Sequence, residues 1–112
     1  MEARLAASVR ASALLRLAEA EGGFGAVLAK GDPTAGAIAV ILAEKGLRIA
    51  FLERHLQPDG DYAWQSARQD LESDAEFSAF LERRRRSDPD LWILELDIPS
   101  AERFAAEMNE AG

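Results

Sequence analysis

The stretch that decides the fold is residues 24–51, in which three apolar runs are separated by two turn signals. The runs read FGAVLAK (24–30), AIAVILA (37–43) and LRIAF (47–51). Gly31-Asp32-Pro33 with Gly36 separates the first two runs, and Lys45-Gly46 lies between the second and the third. Glycine, proline and aspartate favour turns, and the short Lys45-Gly46 spacing favours a tight hairpin. We therefore expect three consecutive antiparallel strands that form a β-meander.

The polarity of the runs predicts how each strand is buried. Residues 38–43 have no polar face, which is typical of a central strand covered on both sides. Leu47, Ile49 and Phe51 alternate with Arg48 and Ala50, as in a half-buried strand. Residues 62–66 predict a shorter fourth strand, and residues 91–98 predict a fifth. On this fifth strand one face carries the large apolar side chains of Trp92, Leu94, Leu96 and Ile98, and the other carries Glu95 and Asp97.

Three helices complete the expected order. Residues 3–21 show an apolar stripe that recurs every four residues and ends at Gly22-Gly23. Ser73 and Glu76 have the spacing of a capping box and begin a helix that extends to about residue 86. A last helix follows Pro99-Ser100 and turns Phe104 and Met108 inward. The order α-β-β-β-(β)-α-β-α predicts one α+β domain over residues 1–112, with an antiparallel β-meander of four to five strands and helices packed mainly on one face.

Composition restricts the classes of function. The chain has 112 residues, no cysteine, and 13 Lys+Arg against 20 Asp+Glu, which gives a net charge of −7. This charge repels phosphate backbones, so we do not expect nucleic acid as a partner. The lack of cysteine excludes disulfides and thiolate metal sites, and it is compatible with the cytoplasm. Arginines interrupt the apolar run in residues 1–20, which favours an amphipathic helix over a targeting peptide. No apolar run in the sequence is long enough to span a bilayer.

Several short motifs lie along the chain: Ala13-Leu14-Leu15-Arg16, Gly22-Gly23-Phe24, Gly31-Asp32-Pro33 with Gly36, the strand from Arg48 to Arg54, and Asp88-Pro89-Asp90-Leu91-Trp92. Together they resemble a family of small alphaproteobacterial proteins known only as a domain of unknown function. The resemblance extends over about residues 3–97, and the segment after Ile98 departs from it. It implies a compact, cytoplasmic, single-domain bacterial protein, and it carries no activity, cofactor or catalytic residue.

The densest group of carboxylates follows the second helix. Asp90, Glu95 and Asp97 are candidate ligands for a divalent metal ion in a hydrolase or nuclease. Glu95 and Asp97 share one strand face at about 7 Å by strand rise. The lysine that usually accompanies such a site is absent, because Asp97 occupies its position. A solvated strand face is the alternative interpretation, and we expect no cofactor.

Two other features suggest a protein partner. Arg83, Arg84, Arg85 and Arg86 end the second helix, where cations are favoured by the helix dipole and can also contact an acidic protein. Their positions fan out around the helix, so a solvated helix end with internal ion pairs is the alternative. Tyr62 and Trp64 lie on one face of the short fourth strand and suit a homodimer or partner surface, unless a helix covers them.

The remaining motifs do not assemble a catalytic group. His55, the single histidine, could act as a general base, but no serine lies in a nucleophile motif. The glycines at 22–25 follow a helix and precede a strand, which reverses the order of a dinucleotide site. Gly31 and Gly36 have P-loop spacing without the lysine and hydroxyl that must follow. Three hypotheses remain open: a non-catalytic interaction or adaptor module, a metal-dependent hydrolase, and a small-ligand binder with a pocket between the sheet and the first helix.

Overall fold

The computed structural model describes residues 5–110 and contains three helices and one five-stranded sheet. The element order is the predicted α+β order, with the fourth strand present. The predicted first helix began at residue 3, and residues 3 and 4 lie outside the described part. The elements are α1 (Ala7–Ala20), β1 (Phe24–Ala29), β2 (Ile38–Glu44), β3 (Leu47–Leu56), β4 (Tyr62–Arg68), α2 (Asp74–Ser87), β5 (Trp92–Asp97) and α3 (Ala101–Glu110).

The strands lie in the order β1-β5-β2-β3-β4. β2, β3 and β4 form the expected antiparallel meander, and Lys45-Gly46 makes the predicted tight hairpin. The predicted pairing of β1 with β2 is wrong, because β5 lies between them. Leu94 of β5 faces Val27 of antiparallel β1 and Val40 of parallel β2. The sheet is therefore mixed.

The loop at residues 30–37 explains why β1 and β2 separate. A Cβ atom added to Gly31 or Gly36 would lie 2.0 or 2.3 Å from the carbonyl oxygen of Asp90, so both glycines permit a close approach to the segment that leads into β5. The indole of Trp92 donates a hydrogen bond of 2.7 Å to the carbonyl of Asp32. The loop is thus bound to the start of β5 and crosses it before β2 begins.

The sheet carries a hydrophobic cluster on each face. The cluster beneath α1 and α3 includes Leu42, Leu94 and Phe104, and the cluster beneath α2 includes Phe51 and Phe77. Two of the three helices share one face, as expected. Residues 38–43 of β2 are all buried and supply side chains to both clusters, which confirms the prediction of a central strand. Each large apolar side chain removed from water in this way contributes about 1.5–3 kcal/mol.

The buried face of α1 differs from the predicted stripe. Leu5, before the helix, and Val9 within it are 65% and 47% exposed, whereas Ala7, Ala11 and Ala18 are buried. Small side chains let the helix axis lie close to the sheet, because a larger residue would hold the helix away. The predicted spacing of four was correct for a helix, but the buried contact is made by alanines, with Leu14, Leu15 and Leu17 packed partly buried beside them, and not by Leu5 and Val9.

Loops and single side chains fix the helix ends. Ser73 accepts a hydrogen bond of 3.2 Å from the amide of Glu76, as the predicted cap requires. α1 has no side-chain cap, and the amides of Ala7 and Ser8 donate instead to the carbonyls of Thr34 and Pro33. The loop at residues 30–37 therefore sets the position of α1 over the sheet. In the described part of the chain, no helix combines the length and apolar character needed to cross a bilayer.

Candidate functional site

A side chain of α3 binds the outer edge of β4 at Trp64. The amide of Trp64 donates a 2.8 Å hydrogen bond to Oδ1 of Asn109, and Nδ2 of Asn109 donates to the carbonyl of Trp64 at 3.4 Å. Trp64 is only 8% exposed and belongs to the cluster beneath α1 and α3. Of the predicted Tyr62–Trp64 surface, only Tyr62 remains exposed.

The edge formed by β1 is open. Among residues 5–110, β1 pairs with β5 alone, and no other backbone hydrogen bond reaches residues 24–29. Phe24, Val27 and Leu28 are 66%, 43% and 50% exposed. The strand contains no charged residue and no proline, two of the devices that protect a sheet edge, and its one irregularity is a bulge at Leu28. β1 therefore presents free backbone groups together with apolar side chains.

The arginine cluster of α2 is divided between internal and external positions. Arg84 forms an ion pair with Glu53 of β3, and Nη1 of Arg85 donates to the carbonyls of Pro89 and Leu91 at 2.8 and 2.5 Å. These contacts fix the end of α2 against the sheet. Arg83 and Arg86 are exposed and remain available at the surface.

The candidate metal ligands are distributed along β5. Asp97 accepts hydrogen bonds from the amides of Lys45 and Gly46 at 3.0 and 2.8 Å, so its carboxylate holds the β2–β3 turn. Glu95 is half-buried, and Asp90 is exposed before the strand begins, roughly 20 Å from Asp97 by strand rise. Within the described residues, no three His, Asp or Glu side chains are placed to hold one metal ion. The structure does not bring Asp90 together with the other two.

His55 lies in an exposed network at the end of the β3–β4 hairpin. Its Nδ1 is 3.1 Å from Oε1 of Gln65, and its carbonyl accepts a 2.8 Å bond from Nε2 of Gln57. Nε2 of Gln65 in turn donates to Oε1 of Gln57 at 3.1 Å. These contacts tie together the ends of the two strands.

A depression of about 440 Å³ lies where α1 begins above the sheet. The start of α1, residues 34–38 and the β3–β4 pair enclose it, in the region between the first helix and the sheet. Its apolar lining comes from Leu5, Ala6, Ala7, Ala35, Ala37 and Ile38, and its charged and polar lining from Arg10, Thr34, Glu53, Arg54 and Tyr62.

Arg54 is the unusual residue of this depression. Its guanidinium carbon lies 5.3 Å from the centroid of the Tyr62 ring, a cation–π distance. Its Nε atom is buried and has no hydrogen-bond partner among the described residues. Sequence reasoning did not select Arg54, because the alternation along β3 assigned it to the polar face with Arg48 and Ala50. In the structure Ala50 and Leu52 of that face pack into the cluster beneath α1 and α3, whereas Leu47 and Ile49 are 71% and 46% exposed.

Comparisons with known proteins agree with this fold. A family model described as "Protein of unknown function (DUF1491)" matches residues 5–106. A crystal structure of a DUF1491 family protein from Caulobacter crescentus is 28% identical, covers 90% of this chain and 94% of its own, and has a TM-score of 0.79. The solution structure of protein Atu0922 from A. tumefaciens is 30% identical, with coverages of 91% and 92% and a TM-score of 0.73. No match was found among the curated proteins.

Proposed function

This chain belongs to the DUF1491 family, and from that premise we propose that it is a cytoplasmic, non-catalytic interaction module in which β1 pairs with β1 of a second copy. The open apolar edge of β1 is the observation that carries the proposal. The pairing would join two five-stranded sheets into one continuous sheet of ten strands. It would also cover Phe24, Val27 and Leu28, which are exposed in the single chain.

The contrast between the two edges of the sheet supports this choice. Asn109 binds the outward backbone groups of β4 at Trp64, whereas the described residues offer no equivalent group to β1. Unpaired N–H and C=O groups on an edge strand are a template for another strand. Of the two edges of the sheet, β1 is therefore the one that we expect to pair with another strand.

The charges around β1 favour a second copy as the occupant. Two chains of net charge −7 repel each other at most surfaces, but residues 24–29 carry no charge. A two-fold axis through β1 makes the two strands antiparallel. Lys30, just after β1, then approaches the segment before β1 of the second copy, where Gly22 and Gly23 carry no charge. Self-pairing thus places no like charges opposite each other within the strand.

The test is the mass of the protein in solution over a range of concentrations. We expect the wild type to form a dimer in analytical ultracentrifugation, and Leu28→Lys to shift it to the monomer. Leu28 is 50% exposed and has no partner in the β1–β5 register, so lysine at this position is compatible with the folded single chain. Lysine on an edge strand opposes strand pairing.

The matched control is Leu56→Lys. Leu56 is also an exposed leucine on a strand, at 62%, but it pairs with Tyr62 of β4 at the end of the β3–β4 hairpin, away from β1. This variant should dimerise like the wild type. A wild type that remains monomeric at every concentration, or a dimer that survives Leu28→Lys, would contradict the proposal.

A further inference from the structure

We propose that a notch at one end of the sheet binds a basic segment of another protein, which seats an apolar side chain between Phe24 and Leu47. The notch has a volume of about 560 Å³ and lies where the start of β1, the β2–β3 turn and the link from β5 to α3 meet. The proposal does not depend on the dimer, because the dimer uses the backbone groups along β1, whereas the notch is formed by side chains at the end of the sheet. It rests on two features: a pair of exposed apolar walls and an excess of carboxylates.

The apolar walls are the first argument. Leu47 and Phe24 are 71% and 66% exposed, the highest exposed fractions among the large apolar side chains of residues 5–110. Both line the notch, so the two most exposed side chains of this kind lie at one depression. Single exposed apolar residues are common on protein surfaces, but a group of them at one place marks an interaction site. The rest of the apolar lining comes from Gly22, Gly23, Ile98 and Pro99.

The charges of the lining are the second argument. The Glu44 carboxylate accepts a hydrogen bond from the amide of Ala101, and the Asp97 carboxylate accepts two from the amides of the β2–β3 turn. Because an amide is neutral, these bonds leave both negative charges in place, and within the described residues neither side chain forms an ion pair. Among the described residues that line the notch, Lys45 is the one cation. The notch therefore has two carboxylates against one ammonium group.

This excess of negative charge selects the occupant. A second copy would bring two more carboxylates to the contact and a net charge of −7, so repulsion opposes self-association through the notch. A phosphate backbone or an anionic lipid surface is repelled for the same reason. A protein segment that carries an apolar residue between lysines or arginines fits both the walls and the charges.

The test titrates the intact protein with three tetrapeptides blocked at both ends, and follows the backbone amides by NMR. The peptides are Lys-Phe-Leu-Lys, Glu-Phe-Leu-Glu, which reverses the charges, and Lys-Ser-Ser-Lys, which lacks the apolar side chains. We expect Lys-Phe-Leu-Lys to shift the amides of residues 22–24 and 44–47 and to bind more tightly than the other two. Its affinity should fall as salt is added, because salt screens the attraction between the charges.

Matched variants locate the contact. Leu47→Ser should weaken the binding of Lys-Phe-Leu-Lys by about fivefold or more, the scale for an apolar side chain that matters in an interface. Leu56→Ser, the control, changes an exposed leucine at the other end of the same strand and should bind like the wild type. Lys45→Gln should bind more tightly, because it removes a like charge from the notch. Lys30→Gln makes the same change in net charge outside the notch and should not, and all four side chains are exposed, so each variant should keep the fold.

Three results would overturn the inference. They are amides of residues 22–24 and 44–47 that Lys-Phe-Leu-Lys does not move, equal binding of Lys-Phe-Leu-Lys and Glu-Phe-Leu-Glu, or equal binding by the wild type and Leu47→Ser. The wild-type titrations alone decide the first two, so the test stands even if a variant does not fold.

The variant Leu28→Lys separates this inference from the dimer. It opposes the pairing of β1 and should still bind Lys-Phe-Leu-Lys at the same amides. Binding that disappears in this variant would assign the contact to the dimer. Shifts of residues 44–47 that depend on the concentration of Leu28→Lys alone, without peptide, would assign the notch to a second copy. Either result contradicts the proposal.

Discussion

At the scale of single residues, the Asp97 carboxylate stabilises the turn between β2 and β3. Lys45 has a φ of 50° and Gly46 a φ of 81°, so both turn residues occupy the left-handed region. That region costs a residue with a side chain about 1–2 kcal/mol. The Asp97 carboxylate compensates by accepting both amides of the turn from across the strand. A side chain considered first as a metal ligand thus has a structural function.

We predict that Asp97→Ala lowers the free energy of unfolding by about 1–3 kcal/mol, because two turn amides lose a charged acceptor. Asp97→Asn keeps one acceptor oxygen and should lose about half as much. Asp90→Ala is the control, since that side chain is exposed and should change stability by less than about 0.5 kcal/mol. Urea titrations measure all three. Equal losses for Asp90→Ala and Asp97→Ala, or a stabilisation by Mg²⁺ that both variants lack, would contradict this assignment.

The sequence indicates which face of a strand a residue occupies, but it does not indicate the atoms that this residue meets. The alternation on β5 places Asp97 on the strand face opposite to that of Leu96. Its hydrogen bonds, however, come from Lys45 and Gly46, which precede it by 52 and 51 positions in the chain. Asn109 contacts Trp64 from 45 positions away. Side-chain roles that depend on such distant contacts have no local signal.

At the scale of elements, α3 serves both as a core helix and as the cover of a sheet edge. Phe104 and Met108 are 1% and 2% exposed, as the sequence predicted, and Asn109 reaches β4 from the same helix. Glu44 of β2 accepts a 2.7 Å hydrogen bond from the amide of Ala101, which fixes the start of the helix. The helix is therefore held at its beginning by β2 and at its end by β4.

We predict that Asn109→Ala costs about 1 kcal/mol and makes the amide of Trp64 exchange faster with solvent deuterium. The cost corresponds to a net hydrogen bond, and the faster exchange follows because this amide loses its acceptor. Glu110→Ala changes the neighbouring exposed residue and should leave the exchange of Trp64 unchanged. Amide exchange followed by NMR gives both results. An unchanged Trp64 amide in Asn109→Ala would show that the edge does not depend on this side chain.

The elements themselves were predictable, but the neighbour of β1 was not. Periodicity, capping residues and turn residues located the three helices and five strands, since these signals are local. Strand pairing, in contrast, depends on residues far apart in the chain. Residues 24–43 alone have the pattern of a hairpin, but in the structure β5 lies between the two strands. The sequence signals for this pairing are Gly31 and Gly36, which in isolation are typical of turns. In the structure they permit close contact with the carbonyl of Asp90.

At the scale of the whole molecule, one sheet separates two hydrophobic clusters and supplies side chains to both of them. Phe51, Phe77 and Phe80 pack edge-on and tilted beneath α2, with ring centroids 5.2–6.0 Å apart. Both tryptophans, Trp64 and Trp92, lie in the cluster on the opposite face. Tryptophan fluorescence therefore reports only one side of the sheet, while far-ultraviolet circular dichroism reports the whole chain.

We predict that Phe77→Leu lowers the urea midpoint by the same amount in both signals, although Phe77 and the tryptophans lie on different faces. The expected loss is about 1–2 kcal/mol, and leucine is preferred to alanine because a loss of about 3–5 kcal/mol approaches the stability of a domain of this size. Phe104→Leu, on the tryptophan side, is the matched variant. A fluorescence midpoint that stays at the wild-type value in Phe77→Leu would mean that the two faces unfold separately.

The place of β5 between β1 and β2 also affects how the chain reaches its native state during synthesis. A nascent polypeptide that has left the ribosome only as far as residue 90 contains four of the five strands but lacks the one that joins β1 to the rest. Contacts of such long sequence separation slow folding, because the chain must close large loops before they form. The complete sheet can therefore assemble only after residues 92–97 have left the ribosome, and until then the apolar residues of β1 and β2 that pack beside β5 stay exposed to other nascent chains and to chaperones.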